Sequence, residues 1–140
     1  MRIEPAEFMK SAPSAEFFPE TGQPEFAFFG RSNCGKSSLI NMLVNRKNLV
    51  KTGSRPGMTQ LANFFQINKR FIIVDLPGFG YAEVPLAVKQ TFKKLLSGYI
   101  TSGRRIRAAF MLVDMRRTPG DEEIDIINAL ADQNIRTAVI

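Results

Sequence analysis

The sequence predicts an α/β protein with a mostly parallel sheet, one antiparallel strand and helices on both faces. Strand and helix patterns alternate along the 140 residues, as in sheets built from strand–helix–strand units. The central strand patterns are apolar without alternation, which is typical of strands buried on both faces. The length fits one domain.

Residues 1–24 are predicted to form an extended or irregular arm packed on the domain, which occupies residues 25–140, because they contain Pro5, Pro13, Pro19 and Pro24. Residues 1–25 carry two basic and five acidic side chains, which gives a net charge of −3. The whole chain has a net charge of +6, so residues 26–140 carry +9. Such an excess favours polyanionic partners, including RNA.

The first strand of the domain is predicted at 25–29 and the first helix at about 35–45. The helix presents one apolar face, formed by Leu39, Ile40, Leu43 and Val44. Residues 46–60 are polar, basic and rich in turn formers, so we expect a long mobile loop. Its basic residues are candidates for RNA contact, with a solvated polar loop as the alternative: Arg46, Lys47, Lys51 and Arg55.

Two strands, at 61–67 and 70–75, are predicted to form an antiparallel hairpin because only Asn68 and Lys69 join them. A glycine-rich loop follows at 76–85. A helix over 86–100 then places its apolar residues on one face, namely Val88, Phe92, Leu95, Leu96 and Tyr99.

The next strand is predicted at 107–114 and is expected to be buried on both faces. Thr118 is predicted to cap a helix that has Pro119 at its first position and Asp121 as the acid of the first turn. The buried residues of this helix are expected to be Ile124, Ile127, Leu130 and Ala131. Residues 136–140 begin a last strand.

Gly30, Asp75 and Asp114 each end a predicted strand, so the loops that follow them are expected to share one edge of the sheet. Ligands of open α/β sheets bind at this carboxyl edge.

Residues 30–37, GRSNCGKS, match the phosphate-binding pattern G-x-x-x-x-G-K-[ST] between a strand and a helix. The glycines let successive backbone N–H groups point inward, and the helix start adds its positive end. Lys36 would reach the outer phosphates, Ser37 would offer its hydroxyl to Mg²⁺, and Ser38 would bond an inner phosphate. The predicted phosphate-binding residues are Gly30, Arg31, Ser32, Asn33, Cys34, Gly35, Lys36, Ser37 and Ser38.

A second motif, D-x-x-G, begins at the end of the strand FIIVD. Asp75 is placed to hold Mg²⁺, through water, and Gly78 to bring its N–H to a terminal phosphate. Thr59 could complete the Mg²⁺ shell when a γ-phosphate is present, which would make residues 50–60 a nucleotide-sensing switch. The predicted metal ligands are therefore Ser37, Thr59 and Asp75.

These motifs resemble the EngB (YihA) group of TrmE-Era-EngA-EngB-Septin-like bacterial ribosome-biogenesis GTPases. The resemblance covers about residues 8–140 and rests on SAP at 11–13, GRSNCGKSSLIN, RPGMTQ, DLPGFGYA and LVDMRRTPGDEE. It implies a three-layer P-loop NTPase fold of the Ras-like G-domain type. It also implies that the chain hydrolyses GTP with Mg²⁺, with Lys36, Thr59 and Gly78 as catalytic groups.

The resemblance further implies a first switch at 56–61 and a second at 75–81. Their nucleotide-binding residues would be Gly57, Met58, Thr59, Gln60, Leu61, Asp75, Leu76, Pro77 and Gly78. The implied setting is a cytoplasmic monomer, away from membranes, that acts on the large ribosomal subunit precursor, with its rRNA and proteins. The resemblance also implies that this role is needed for normal cell division and septation. The single cysteine fits a reducing compartment.

Three positions in these motifs bear on the implied activity. Phe79 occupies the position of a water-orienting glutamine in many GTPases, so intrinsic hydrolysis should be slow. Asn33 occupies a position linked to K⁺ binding in related GTPases, which makes K⁺ a candidate cofactor; loop-stabilising hydrogen bonding is the alternative. Cys34 replaces a small aliphatic residue, which should be tolerated.

The base-reading segment [NT]-K-x-D does not occur in the sequence. We therefore expect a chain truncated before the last strands and helices, with the C-terminal part of the G domain missing. Guanine specificity then rests on the resemblance. Two alternatives stay open, a P-loop ATPase and a non-catalytic fragment that binds RNA through charge.

Overall fold

The computed structural model describes residues 5–31, 34–46, 49, 60–80, 85–116 and 118–140. Its strands are β1 (Ala6–Ala12), β2 (Glu25–Gly30), β3 (Ala62–Ile67), β4 (Phe71–Asp75), β5 (Ile106–Leu112) and β6 (Thr137–Val139). Its α-helices are α1 (Lys36–Leu43), α2 (Leu86–Ile100) and α3 (Asp121–Asp132), and a short 3₁₀ helix spans Ala15–Phe17. None of the helices in these ranges is both long enough and apolar enough to cross a membrane.

The six strands form one sheet in the order β1-β3-β4-β2-β5-β6. The pairings of β2 with β4, β2 with β5 and β5 with β6 are parallel. β3 runs against both of its neighbours, β1 and β4. The predicted fold class, a mostly parallel sheet with one antiparallel strand, is therefore confirmed.

Helices cover both faces of this sheet. On one face, α2 and α3 pack Phe92, Tyr99 and Leu130 into the larger apolar core. On the other face, α1 packs Ile40 and Val44 against a second apolar cluster. Central strands supply side chains to both clusters, as the unbroken apolar patterns predict.

The residues predicted as an arm contain an edge strand, because β1 pairs antiparallel with β3 from Ala6↔Ile67 to Ala12↔Ala62. The sequence did not indicate a strand here. The side chains at 7–10 are all exposed, so no inward and outward alternation marks the segment.

The predicted hairpin is confirmed. Ile67 pairs with Phe71 in an antiparallel ladder, and the N–H of Arg70 donates to the carbonyl of Ile67 at 2.9 Å. Asn68 and Lys69 both have positive φ, 53° and 55°. This is the backbone sign that tight hairpin turns need, and asparagine tolerates it better than most residues.

The start predicted for the third helix was wrong. α3 begins at Asp121, and its N-cap is Gly120 rather than Thr118. The carboxylate of Glu123 reaches back to accept the Gly120 N–H at 3.2 Å, which satisfies the first turn in the manner of a capping box.

Two predicted helix faces were partly wrong. In α3 the buried residues are Glu123, Ile126 and Leu130, whereas Ile124 is 48% exposed and Ala131 is exposed. In α1, Leu43 is 49% exposed. When apolar residues occur on several sides of a helix, the helical period does not show which side faces the core. Packing against the sheet then determines the buried side.

The end predicted for the fifth strand was also wrong. β5 ends at Leu112, so Asp114 lies two residues beyond it. The Asp114 carboxylate instead accepts hydrogen bonds from the backbone N–H and the guanidinium of Arg116 at 2.9–3.0 Å. Asp114 therefore does not end a strand as Gly30 and Asp75 do.

Candidate functional site

The two sequence motifs meet at the carboxyl edge of the sheet. β2 and β4 are parallel neighbours, with Phe28 opposite Asp75. The ammonium of Lys36, the first residue of α1, donates to Oδ1 of Asp75. The two side chains are only 10% and 7% exposed, so the structure joins the lysine of one motif and the aspartate of the other in a buried ion pair.

The glycines of the first motif have separate physical reasons. A Cβ on Gly30 would lie 2.7 Å from Sγ of Cys34 and 3.3 Å from Cβ of Leu112, so a side chain does not fit. Gly35, the N-cap of α1, has φ +88°, in the left-handed region that favours glycine. From Lys36 onward, the first N–H groups of α1 lack partners within the helix, which makes this end attractive to anions.

Cys34 is half-buried and packs beside the apolar cluster under α1. Burial raises the pKa of its thiol. The side chain therefore stays neutral near pH 7 and behaves as the small apolar residue that the sequence analysis expects at this position.

The loop after β4 is held against the carboxyl end of β2 by backbone hydrogen bonds. The N–H of Leu76 donates to the carbonyl of Phe28 at 3.1 Å, and the N–H of Phe79 donates to the carbonyl of Gly30 at 3.3 Å. Leu76 is fully buried, whereas Pro77 and Gly78 are half-buried. Gly78 therefore lies between two anchored residues at this edge.

Phe79 is one of those anchors. Its ring is 3% exposed and packs against Phe92 of α2, with a distance of 6.1 Å between ring centroids. From the sequence, the only expectation at this position was that phenylalanine cannot orient water. The structure adds that the ring ties the D-x-x-G loop to α2.

Arg31 directs its side chain to α3. Nε and Nη2 donate to the two carboxylate oxygens of Glu123 at 2.8 and 3.0 Å. Burial would raise the pKa of the Glu123 carboxyl, but the hydrogen bond and charge of Arg31, together with hydrogen bonds from the backbone N–H groups of Glu123 and Gly120, lower that pKa below its ordinary value. The hydrogen bond to Glu123 likewise raises the pKa of Arg31.

Glu123 was not among the functional residues predicted from the sequence. The available signal was an acid at the third position of a helix, which is usually a capping residue. Here the Glu123 carboxylate both caps α3 and forms an ion pair with Arg31, the residue after Gly30.

Several predicted site residues lie outside the described part of the chain. These are Ser32, Asn33, Gly57, Met58 and Thr59, and with them the basic loop residues Lys47, Lys51 and Arg55. Of the others, Ser37 and Leu61 are half-buried and Ser38 is exposed. Oε1 of Gln60 is buried and has no hydrogen-bond partner among the described residues.

The sequence is similar to those of known GTP-binding proteins. Residues 25–140 match the family model of the 50S ribosome-binding GTPase. Over 140 residues the chain is 48% identical to the probable GTP-binding protein EngB of Geotalea daltonii, covering all of this chain and 68% of the relative. The chain belongs to the EngB family. The resemblance noted in the sequence is thereby confirmed.

Other members of the EngB family extend the comparison. The protein from Citrifermentans bemidjiense is 52% identical over 127 residues, 91% of this chain and 59% of the relative. The protein from Geobacter sp. strain M21 is 48% identical over the whole chain and 65% of the relative. This chain thus spans about three fifths to two thirds of the length of these two relatives.

Solved structures agree with the fold. A crystal structure of a probable GTP-binding protein EngB superposes with a TM-score of 0.65 at 27% identity, covering 82% of this chain and 68% of the other. Era from Aquifex aeolicus superposes with a TM-score of 0.56 at 19% identity, covering 84% and 40%, which supports the fold alone.

Proposed function

We propose that this EngB-family chain binds GTP together with Mg²⁺ and hydrolyses it as a nucleotide-dependent switch. The observation that carries the proposal is the buried contact between Lys36 and Asp75. The ammonium of Lys36, which would neutralise the outer phosphates, thus lies beside the carboxylate of Asp75, which would help to bind Mg²⁺. Both lie at the edge where open α/β sheets bind ligands.

The chain's own groups would act by position and charge. The ammonium of Lys36 would bind the outer phosphates. The backbone N–H groups at the start of α1 would donate hydrogen bonds to the inner phosphate oxygens. The N–H of Gly78 would meet the terminal phosphate without a side chain in the way. Phosphoryl transfer needs chiefly such positioning and charge neutralisation.

The residues present fit Mg²⁺. Asp75 offers a buried carboxylate and Ser37 a half-buried hydroxyl, both hard oxygen donors. Among the described residues no three acidic, cysteine or histidine side chains cluster as a metal site, and nucleotide sites characteristically complete the Mg²⁺ shell with phosphates and water. Ser37, Asp75 and Thr59 would hold the ion, which would neutralise charge developing on the phosphates.

Intrinsic turnover is proposed to be slow because Phe79 cannot bond a water. Help would come from a ribosomal partner or from K⁺ held near Asn33. Turnover measured in K⁺ and Na⁺ buffers tests the cation role, and equal rates would remove it.

Nucleotide choice is tested by competition for a labelled GTP analogue. We expect unlabelled GTP to displace the label and ATP to fail. Lys36→Ala should abolish binding, whereas Lys89→Ala, an exposed lysine of α2, should not change it. Equal displacement by ATP would favour the P-loop ATPase alternative, and no uptake of either nucleotide by folded protein would overturn the proposal.

The proposed partner is the large ribosomal subunit precursor. The chain would act on it in the cytoplasm, as a monomer and without a membrane. The family model's ribosome-binding description and the charge of +9 over residues 26–140 support it. So do three exposed arginines at the amino ends of β4, β5 and β6: Arg70, Arg107 and Arg136, which line one surface depression. We propose a role in cell division and septation as well, because a failure of ribosome assembly would disturb both.

RNA contact is tested by binding to rRNA fragments over a salt series, with and without a GTP analogue. We expect affinity to fall with salt and to depend on the nucleotide. Affinity that ignores both the nucleotide and Lys36→Ala would support the alternative of a non-catalytic RNA-binding fragment.

A further inference from the structure

We infer that Arg31 is a positioning residue, which clamps the loop after β4 to α3 and so places Gly78 for hydrolysis. The inference rests on the proposed GTP hydrolysis. It assigns Arg31 a role different from that of a cation on the phosphates.

The ion pair fixes the plane of the guanidinium. Nε and Nη2 donate to the two oxygens of Glu123, whereas Oε1 of the half-exposed Glu122 lies 3.9 Å from Nη2, beyond hydrogen-bonding distance. The Glu123 side chain is 4% exposed and the Arg31 side chain 18%. A bidentate pair so shielded from water has one favoured geometry, unlike an exposed pair of long side chains.

The same guanidinium contacts the loop after Gly78. Its central carbon lies 5.4 Å from the centroid of the Phe79 ring, within the range of a cation–π contact. A Cβ on Gly80 would lie 2.5 Å from Nη1, and Gly80 has φ +92°. Glycine at position 80 is what allows the backbone to approach the arginine so closely.

Three separate parts of the fold therefore meet at one side chain. Arg31 follows Gly30 of the phosphate loop, Phe79 follows Gly78, and Glu123 lies in the first turn of α3. Phe79 also forms an isolated parallel bridge with Arg31 through the backbone. A shift of Phe79 must move Gly78, because the two residues share a peptide bond. The clamp thus sets where the Gly78 N–H points.

Charge alone cannot make this clamp. Lysine would keep the positive charge but lacks the planar fork that bonds both carboxylate oxygens and lies over a ring. Arg31→Lys therefore separates positioning from electrostatics. Glu123→Gln provides the complementary change, since glutamine keeps the size of the side chain and loses its charge.

The first readout is kinetic. We expect Arg31→Lys and Glu123→Gln each to lower kcat by about 10- to 100-fold, the scale of a small misplacement, with KM for GTP nearly unchanged. The double variant should be no slower than the slower single variant. Glu122→Gln, the matched control at the neighbouring and half-exposed acid, should retain the kcat of the unmodified chain.

The second readout does not depend on activity. In the nucleotide-free chain, amide hydrogen exchange at residues 76–80 should rise in Arg31→Lys and Glu123→Gln but not in Glu122→Gln. Unchanged exchange and unchanged kcat in Glu123→Gln would overturn the clamp, as would an Arg31→Lys variant whose only defect is a raised KM. Absence of hydrolysis by the unmodified chain would count against the proposed function instead, while exchange would still decide the clamp.

Discussion

Lys36, the first residue of α1, is the hydrogen-bonding partner of Asp75, the last residue of β4, although 39 residues separate them in the chain. Each side chain is at least nine-tenths buried. Removing one member of such a pair leaves a charge away from water without its partner, whereas removing both does not. Each member of the pair therefore needs the other if the fold is to keep its stability.

Lys36→Met should lower the free energy of unfolding by about 3–5 kcal/mol without nucleotide, because Asp75 stays buried and unpaired. The double variant with Asp75→Asn should recover most of that loss and still fail to bind GTP. Urea unfolding measures both, with Lys89→Met on the exposed side of α2 as the control. A Lys36→Met variant as stable as the unmodified chain would show that the pair is not needed by the fold.

Asp75→Asn should raise the Mg²⁺ concentration that supports nucleotide binding and hydrolysis by about 10- to 100-fold, the range found when outer ligands of a metal are neutralised. A Mg²⁺ titration of turnover checks this. Asp125→Asn, at an exposed carboxylate of α3, should leave the titration unchanged. The same titration midpoint in both variants would exclude Asp75 from the metal site.

A buried cluster ties the segment at Pro19 to the start of β2 and the end of α2, and it gives a third test. Glu25, 1% exposed, accepts hydrogen bonds from Arg104 at 2.6–3.0 Å and from the Tyr99 hydroxyl at 2.7 Å. Arg104 also donates to the carbonyl of Pro19 at 2.6 Å. The pKa of Tyr99 is raised well above 10.0, mainly by burial and secondly by the charge of Glu25. The hydroxyl therefore stays protonated and remains a hydrogen-bond donor.

Arg104→Met should lower the free energy of unfolding by about 3–5 kcal/mol, because the buried Glu25 carboxylate loses its counterion. Tyr99→Phe should cost less, about 1.5–3 kcal/mol for one hydrogen bond to a charged group. Arg105→Met, at the exposed neighbour, should change stability by less than about 0.5 kcal/mol. Thermal or urea unfolding ranks the three, and equal losses at positions 104 and 105 would contradict the cluster's role.

Acid should weaken the contact between Arg31 and Glu123. The pKa of Glu123 is lower in the folded chain than its ordinary value of 4.5, so the unfolded chain binds the proton more readily as the pH falls. The contribution of Glu123 is thus present above pH 4.5 and is lost as the pH falls through the depressed folded pKa. Glu123→Gln should flatten this part of the curve of unfolding free energy against pH. An unchanged curve would show that another carboxyl dominates the acid response.

Much of the site was predictable because its signals are local. Gly30 and Gly35 mark a backbone path, Lys36 starts a helix, and the hairpin turns at Asn68 and Lys69 through residues adjacent in the chain. α2 begins and ends where the apolar spacing predicts. Each of these features depends on a few neighbouring residues, so a pattern in the sequence carries it.

By itself, the sequence determined the order of the strands and helices from β2 to β6, the glycine-rich loop between β2 and α1, and the edge of the sheet at which that loop lies. Only the tertiary structure decided that β1 pairs with β3, that α3 turns Ile126 rather than Ile124 inward, and that Arg31 binds Glu123, 92 residues away. The physical reason is that backbone preferences act over a few residues. The partner of a buried charge or an edge strand depends on which distant segments the packed core brings within hydrogen-bonding distance.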